Sequence, residues 1–176
     1  MGTLNLGSTG TITATSLSLG VVPCFSARMT NNGGEHAGYW TTSGISSPYT
    51  PIPFDGVDVN RTNCYSGTDA KFTCTMAGIY QFNVSLISGA TDHWFRGAIL
   101  HQPGGTGTPD FIHYSQTDYG GSGSLDFSHC GFSCLYPCSV GDKVWVVLDS
   151  GQGGTESVYA GNGGRWSIFS GHMISA

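Results

Sequence analysis

The residues of this sequence with the clearest chemical potential are its cysteines and histidines. Three of the six cysteines, Cys130, Cys134 and Cys138, are spaced four residues apart, and His129 directly precedes the first of them. Thiolate and imidazole bind zinc, but structural zinc sites combine one close pair of ligands with a second pair further along the chain. Here the cysteines lie in one strand-like run, where evenly spaced side chains point the same way in a line and cannot surround an ion. We therefore predict no metal site at these residues and interpret the cysteines as small buried hydrophobic groups.

Disulfides are the alternative use of an even number of cysteines. A chain of 176 residues can bury a sizeable core without such cross-links. Its first residues, Met1 to Leu6, show neither the basic region nor the continuous apolar region of a secretory signal. These features favour reduced thiols.

Catalysis is not expected. The histidines His93, His101, His113 and His129 lie in separate predicted strands or loops, and no Ser or Cys stands in a nucleophile elbow. We predict that the protein is not an enzyme and uses no cofactor.

Calcium is the remaining metal to consider, with Asp55 and Asp58 as weak candidate ligands. No oxygen-rich loop of the EF-hand type surrounds them. Turn and cap carboxylates are therefore the favoured interpretation of both residues.

Composition indicates which elements position these residues. The chain has 28 Gly, 12% aromatic and only 10% charged residues, which is typical of an all-β domain with many tight turns. Its net charge is −5 and its six Lys and Arg are scattered, so we predict binding to neither nucleic acid nor an anionic membrane. No apolar run approaches the ~20 residues of a membrane span. So few charges suggest a surface that is partly buried in a larger assembly.

Short segments with strand-like patterns are separated by turn signals along most of the chain, as in a sandwich, jelly roll or barrel. The predicted strands are 21–29, 39–40, 53–60, 71–76, 79–87, 94–101, 111–116, 125–136, 143–148 and 165–174. Strands 71–76 and 79–87 are expected to pair across the turn between them.

Strand 79–87 shows the alternation best. Tyr80, Phe82, Val84 and Leu86 are predicted to face the core. The opposite face is polar but uncharged, which fits burial against identical copies, because amides and hydroxyls can pair there while charges cannot. That face consists of Gln81, Asn83, Ser85 and Ile87.

Residues 1–20 form a separate uncharged segment before the main domain, 21–176. Two stretches alternate apolar and polar residues and predict short strands joined by a turn. Such a ribbon cannot bury enough surface to be stable alone. We therefore expect an extended anchoring arm that packs on a partner through Leu4, Leu6, Ile12, Leu17 and Leu19.

From residue 22 onward the chain resembles the C1q/TNF-like family. The C1q signature is a fixed series of intervals between aromatic residues, an Asn and a Gly, and it matches Phe54, Asn60, Tyr65, Phe72, Gly78, Tyr80 and Phe82. The one departure is Val84, where the family has an aromatic residue. Three further stretches resemble family strands: 25–28, 141–146 and 169–174.

The resemblance implies a ten-strand jelly-roll sandwich that forms a homotrimer, binds partners through loops and outer faces, and has no catalysis known for the class. It also implies that Gln81, Asn83, Ser85 and Ile87 lie toward the threefold axis. That agrees with the uncharged face inferred from the residues themselves.

Most family members follow a collagen stalk, which this sequence lacks. Its leading segment resembles instead the Gly/Ser/Thr/Leu-rich arms of bacteriophage virion proteins. We therefore predict a homotrimeric capsid decoration (cement) protein of the virion, which is made in the host cytoplasm and binds the major capsid protein or another virion protein. A receptor- or glycan-binding knob of a tail or head fibre is the alternative, and a secreted extracellular C1q-like recognition protein is a further one.

Overall fold

A computed structural model of the protein describes residues 4–5, 11–12, 21–30, 39–42, 49–88, 95–117, 128–150, 156–161 and 165–176. Regular structure within these residues consists of strands and one 3-10 turn, Pro103–Gly105. The strands are β1 Leu4–Asn5, β2 Thr11–Ile12, β3 Cys24–Arg28, β4 Tyr39–Thr42, β5 Gly56–Arg61, β6 Tyr65–Ser66, β7 Lys71–Thr73, β8 Gly78–Ser88, β9 Phe95–Gln102, β10 Asp110–Thr117, β11 Ser128–Cys138, β12 Lys143–Ser150, β13 Glu156–Tyr159 and β14 Ile168–Ser175. In the part of the chain that is described, no helix is long and apolar enough to cross a membrane.

Two antiparallel sheets form the domain. The first sheet has seven strands in the order β4-β13-β8-β14-β3-β5, and β11 pairs with the free side of β8. The second sheet has five strands in the order β10-β9-β12-β7-β6. The predicted all-β sandwich is confirmed.

The core lies between the two sheets and follows the alternation of the strands. In β8 the inward residues Tyr80, Phe82, Val84 and Leu86 are buried, as predicted from their spacing. The second sheet contributes Val144, Val146 and Leu148 from β12 and Ile99 from β9. A two-residue period places alternate side chains on one face, so each strand supplies one row of the core.

One predicted strand pairing is wrong. Strands β7 and β8 do not form a hairpin: β7 pairs with β6 and β12 in the second sheet, whereas β8 pairs with β11 and β14 in the first. After β7, the Cys74 amide donates to the carbonyl of Asp142, and its carbonyl accepts from the Gly141 amide. The chain therefore continues beside the β11–β12 turn and crosses to the other sheet instead of reversing.

Three strands, β2, β6 and β13, were not predicted from the sequence, and they are only two, two and four residues long. Segments that short show too little alternation to identify. At the start of the chain, β1 pairs with β2 through Leu4 and Ile12. The other predicted anchoring residues, Leu6, Leu17 and Leu19, lie outside the described residues.

Candidate functional site

The aromatic residues of the signature form the centre of the core. Phe72 lies 5.1 Å from Tyr80, 5.3 Å from Phe82 and 5.5 Å from Phe25, measured between ring centroids. All four are buried. Stacked, tilted and edge-on contacts of this kind add to the stabilisation from burying large apolar area. These signature residues therefore hold the two sheets together rather than contact a ligand.

Asn60 bridges the turn between β5 and β6. Its Nδ2 donates to the Tyr65 carbonyl at 2.8 Å, and its Oδ1 accepts from the Tyr65 amide at 3.1 Å. The turn needs this support because Thr62 and Asn63 both have positive φ, 64° and 52°. The Tyr65 hydroxyl then donates to the carbonyl of Phe54 at 3.0 Å. Phe54, Asn60 and Tyr65 are thus linked by hydrogen bonds. The interval between Asn60 and Tyr65 in the signature is the length of the turn that Asn60 bridges.

Val84 occupies a buried core position despite its departure from the family pattern. In the sheet register it lies between Phe132 of β11 and Phe169 of β14. Aromatic side chains on both neighbouring strands therefore fill the space at this position.

The outer side of the first sheet carries the predicted self-association residues. We call the outward side chains of β3, β8, β11 and β14 the interface face. Gln81, Asn83, Ser85 and Ile87 all lie on it and are half-buried within the single protomer. The register aligns Ser133 and Ser170 on either side of Asn83, with Ser26 next in the row. The face therefore has a centre of small hydroxyl and amide groups.

Polar contacts within the interface face are few. Gln81 Nε2 donates to Asn83 Oδ1 at 3.2 Å, and Ser85 Oγ lies 3.0 Å from His129 Nε2. An amide and a hydroxyl each have further donor and acceptor positions. This face can therefore form hydrogen bonds with a partner of matching chemistry.

One end of the interface face is apolar. Ile79 of β8, Leu135 of β11 and Ile174 of β14 lie there, and Leu135 and Ile174 keep 62% and 51% of their surface exposed. Val22, just before β3, extends the same row and is also exposed. Contiguous exposed apolar groups on a soluble domain mark an interaction surface. These residues were not predicted from the sequence, although Ile79 has the same parity in β8 as Gln81 and could have been found by extending the alternation.

Charge is confined to the edge of the interface face. Among the outward residues of its four strands, Arg28 is the only Lys, Arg, Asp or Glu. Its Nε lies 3.1 Å from Asp58 Oδ1, and Arg165 lies 3.7 Å from the other oxygen of the same carboxylate. Self-association through the centre of the face therefore requires no charge to be buried.

The two calcium candidates have protein partners. Asp55 accepts from the amide and the hydroxyl of Thr30, at 2.8 and 2.6 Å, while Asp58 pairs with Arg28. The Arg28 guanidinium would compete with a metal cation for the carboxylate oxygens of Asp58. Among the described residues, no three His, Cys, Asp or Glu side chains are grouped to hold a metal ion.

His101 is buried at the end of the sandwich, where it contacts two polar side chains. Its Nε2 lies 2.8 Å from Asp142 Oδ2, and its Nδ1 lies 3.4 Å from the Tyr136 hydroxyl. Asp142 also accepts from the amides of Gly104 and Ser139, both at 2.8 Å. Burial acts to raise the pKa of Asp142, but these hydrogen bonds outweigh it and lower that pKa below its ordinary value. The contacts fasten the β11–β12 turn to the 3-10 turn.

All six cysteines are free thiols. Burial raises the pKa of Cys64 to about 11 and that of Cys138 to about 12, and Cys134 is raised to about 11 by the same cause. Because the thiolate is the reactive form, these residues are poor nucleophiles. They act as small apolar groups of the core.

Comparison with known proteins gives the same architecture. The C1q domain family matches residues 37–174. The chain is 28% identical over 123 residues to a complement C1q subcomponent of Mus musculus, and it spans 45% of that protein's length. Among solved structures, the globular domain of a zebrafish complement 1qA protein aligns at a TM-score of 0.61 with 18% identity, covering 87% of this chain and 97% of that one. Eiger TNF from S. frugiperda aligns at 0.65 with 10% identity, covering 88% and 93%. The predicted jelly-roll fold is thereby confirmed.

Proposed function

This chain belongs to the C1q domain family, and from that premise we propose that it is a non-catalytic binding domain that works as a homotrimer. Three copies associate through the interface face, with Gln81, Asn83, Ser85 and Ile87 toward the shared axis. Closed cyclic symmetry is the usual arrangement of identical protomers.

The observation that carries this proposal is the composition of the interface face. Its centre is uncharged and polar, and its end carries exposed Ile79, Leu135 and Ile174. Fully burying one such side chain contributes roughly 1.5–3 kcal/mol. Burial of three copies of the apolar end therefore drives association of the protomers. Hydrogen bonds at the polar centre orient the protomers without burying a charge.

For the biological setting we propose capsid decoration: a virion protein whose trimer sits on the major capsid protein and is anchored by residues 1–20. Two features support this setting. The chain has only 10% charged residues, and its six thiols are unpaired, as in proteins made in a reducing compartment. A fibre knob that binds a receptor or glycan would share both features.

The likeness to a complement C1q subcomponent favours a second setting, an extracellular recognition protein. Electron microscopy of purified particles separates the settings. Hundreds of copies over the shell would support decoration, a few at a vertex or tail would support a fibre knob, and none would support the extracellular protein. Deletion of residues 1–20 should leave a trimer that no longer attaches to capsids; attachment retained without them would contradict the anchoring role.

Self-association is tested by replacing Leu135 with Asp. A carboxylate at this position meets two symmetry-related carboxylates or is buried without a partner, and either is strongly unfavourable. We expect Leu135→Asp to be a folded monomer in multi-angle light scattering at a concentration where the unaltered protein is a trimer.

The matched control is Val140→Asp, an equally exposed apolar residue, at 65%, in the β11–β12 turn and off the interface face. It should remain a trimer. A monomeric unaltered protein at micromolar concentration, or a trimeric Leu135→Asp variant, would overturn the proposed interface.

A further inference from the structure

Two of the six Lys and Arg residues lie side by side on the outer side of the second sheet. Phe72 of β7 and Val144 of β12 are register partners, and both point into the core. Because side chains alternate along a strand, Lys71 and Lys143 point outward from these two strands. Lys143 is opposite Thr73, so Lys71 is its diagonal neighbour, a relation that separates two residues by about 7–8 Å. We call Lys71 and Lys143 the lysine pair.

Contacts within the protein hold both lysines in place. This side of the sheet carries a second buried cluster, which consists of Ala98, Leu100, Trp145 and Val147. The Lys71 ammonium lies 4.0 Å from the ring centroid of Trp145, whose Nε1 donates to the Tyr49 carbonyl. Lys143 runs along Gly105, where an added Cβ would lie 3.2 Å from the Lys143 Cε. A lysine side chain that is already ordered loses less conformational entropy when it binds a ligand.

The lysine pair keeps an excess of positive charge. Among the described residues, no carboxylate forms an ion pair with Lys71 or Lys143. Asp69 is near enough to act on Lys71, but burial and then the charge of Lys143 have larger effects and lower the pKa of Lys71 below its ordinary value. The Asp69 carboxylate is also engaged, because its Oδ2 accepts from the Ser66 hydroxyl at 3.1 Å. Repulsion between the two lysines therefore exceeds the attraction of this carboxylate.

Charge complementarity indicates what the lysine pair can bind. Two cations that repel each other are balanced by a group with two negative charges, and a phosphate monoester carries about −1.5 to −2 at pH 7. Each ammonium has three N–H donors that can reach the oxygens of such a group. A nucleic acid or an anionic membrane would need a row of cations, whereas the other four Lys and Arg are scattered along the chain. The pattern therefore favours a single small dianion.

We propose that the lysine pair binds a phosphate dianion, either as the free ion or as the monoester group of a larger molecule. The two ammonium groups donate to different phosphate oxygens, while Lys71 keeps its place over Trp145. The pair lies on the sheet opposite the interface face, so binding does not depend on the proposed trimer. A homotrimer would carry three such sites and would bind a partner bearing several phosphates with avidity.

Titration of the full chain with inorganic phosphate and with methyl sulfate at pH 8 tests the proposal. Both ligands are tetrahedral, but at this pH the phosphate is a dianion and the sulfate ester a monoanion. Calorimetry should give a dissociation constant on the order of millimolar for inorganic phosphate, because the two cations are partly exposed to water. Methyl sulfate should bind at least about fivefold more weakly. Equal affinity for the two ligands, or no binding of inorganic phosphate, would overturn the assignment.

Methyl phosphate, titrated under the same conditions, distinguishes the two sources of the dianion. If it binds within about threefold of inorganic phosphate, the site accepts a phosphate group carried by a larger molecule. If inorganic phosphate binds and methyl phosphate does not, the ligand is the free ion. Both results support a dianion site.

Three variants locate the binding site. Lys71→Gln and Lys143→Gln each remove one charge of the pair and should weaken phosphate binding at least about fivefold. Arg61→Gln is the matched control, since Arg61 is an exposed residue of β5 in the first sheet and its loss changes the net charge equally. It should bind phosphate within about twofold of the unaltered protein, and thermal melting verifies that all three variants are folded.

An equal loss of affinity in Arg61→Gln and in the two lysine variants would show that net charge alone attracts the phosphate. That result would refute the site and leave the proposed trimer untouched. Unchanged binding by Lys143→Gln would also refute it, because a dianion held by Lys71 alone needs no pair.

Discussion

Asp142 is a buried carboxylate with three hydrogen-bonding partners, His101, Gly104 and Ser139. Its carboxylate accepts hydrogen bonds from two backbone amides and lies against His101, and it is itself buried. A charged acceptor of this kind fixes the conformation of the loops that donate to it, because each amide would otherwise be buried without a partner. This residue therefore determines the geometry of the β11–β12 turn.

The depressed pKa of Asp142 makes its contribution pH-dependent. Its folded-state pKa lies below the ordinary 3.8, so its stabilisation is fully present above that value and is lost as the pH falls through the folded-state pKa. We expect Asp142→Asn to lower the free energy of unfolding by roughly 1–3 kcal/mol at pH 7, and by less at the acid end. Urea unfolding at pH 7 and at an acid pH gives the free energy of unfolding of both proteins under each condition. Asp110→Asn, at an exposed position, is the control; a deficit for Asp142→Asn that is independent of pH would contradict the argument.

At the scale of elements, β14 joins the first sheet because it carries a glycine at the right position. Gly171 is the register partner of Phe25 on β3 and of Phe82 on β8. A Cβ at this position would lie 2.6 Å from one ring and 2.8 Å from the other. The two rings therefore occupy the space that a side chain at position 171 would fill. Strand β14 can lie between β3 and β8 only if this position is glycine.

Gly171→Ala should consequently destabilise the fold. Backbone and two packed rings must shift, and overpacking of a filled core costs roughly 1–3 kcal/mol. For a chain of this size, the melting temperature falls by about 2–4 °C per kcal/mol. Thermal melting followed by circular dichroism at fixed protein concentration measures the loss. Ser175→Ala, in an exposed position of the same strand, should melt within about 1 °C of the unaltered protein; an equal fall in both variants would show that the strand, not the glycine, is sensitive.

The whole molecule has one shared core and two outer faces of different character. The interface face is uncharged except for Arg28 at its edge and has an apolar end, whereas the outer side of the second sheet carries a second buried cluster. The core includes buried thiols on strands and connections of both sheets, among them Cys64 before β6 and Cys138 at the end of β11. Their accessibility to reagents therefore requires the sheets to separate.

Thiol alkylation at pH 8 reports that separation. Cys64 and Cys138, with pKa values raised by burial to about 11 and 12, should stay unmodified in the folded protein. All six should react in guanidinium chloride. Mass spectrometry of peptides measures each site. Modification of Cys64 in the native protein as fast as in guanidinium chloride would show that the core opens locally without global unfolding.

Sequence alone determined most of the strands and the core side of β8. The two-residue alternation identifies Tyr80, Phe82, Val84 and Leu86 as buried, and the signature intervals identify Phe54, Asn60 and Tyr65, because those spacings follow from strand and turn geometry. It also placed Gln81, Asn83, Ser85 and Ile87 on one outward face.

Which strands pair, and which side chains meet across strands, was decided only by the tertiary structure. The β7–β8 turn was predicted as a hairpin because local turn chemistry does not reveal that the chain changes sheets there. The apolar end needs Leu135 and Ile174 from two strands distant in sequence. The register shift in β10 between Phe111 and His113 is likewise announced by no residue type. Local periodicity determines the face on which a side chain lies, whereas its neighbours depend on long-range pairing, and the interface face is built from such neighbours.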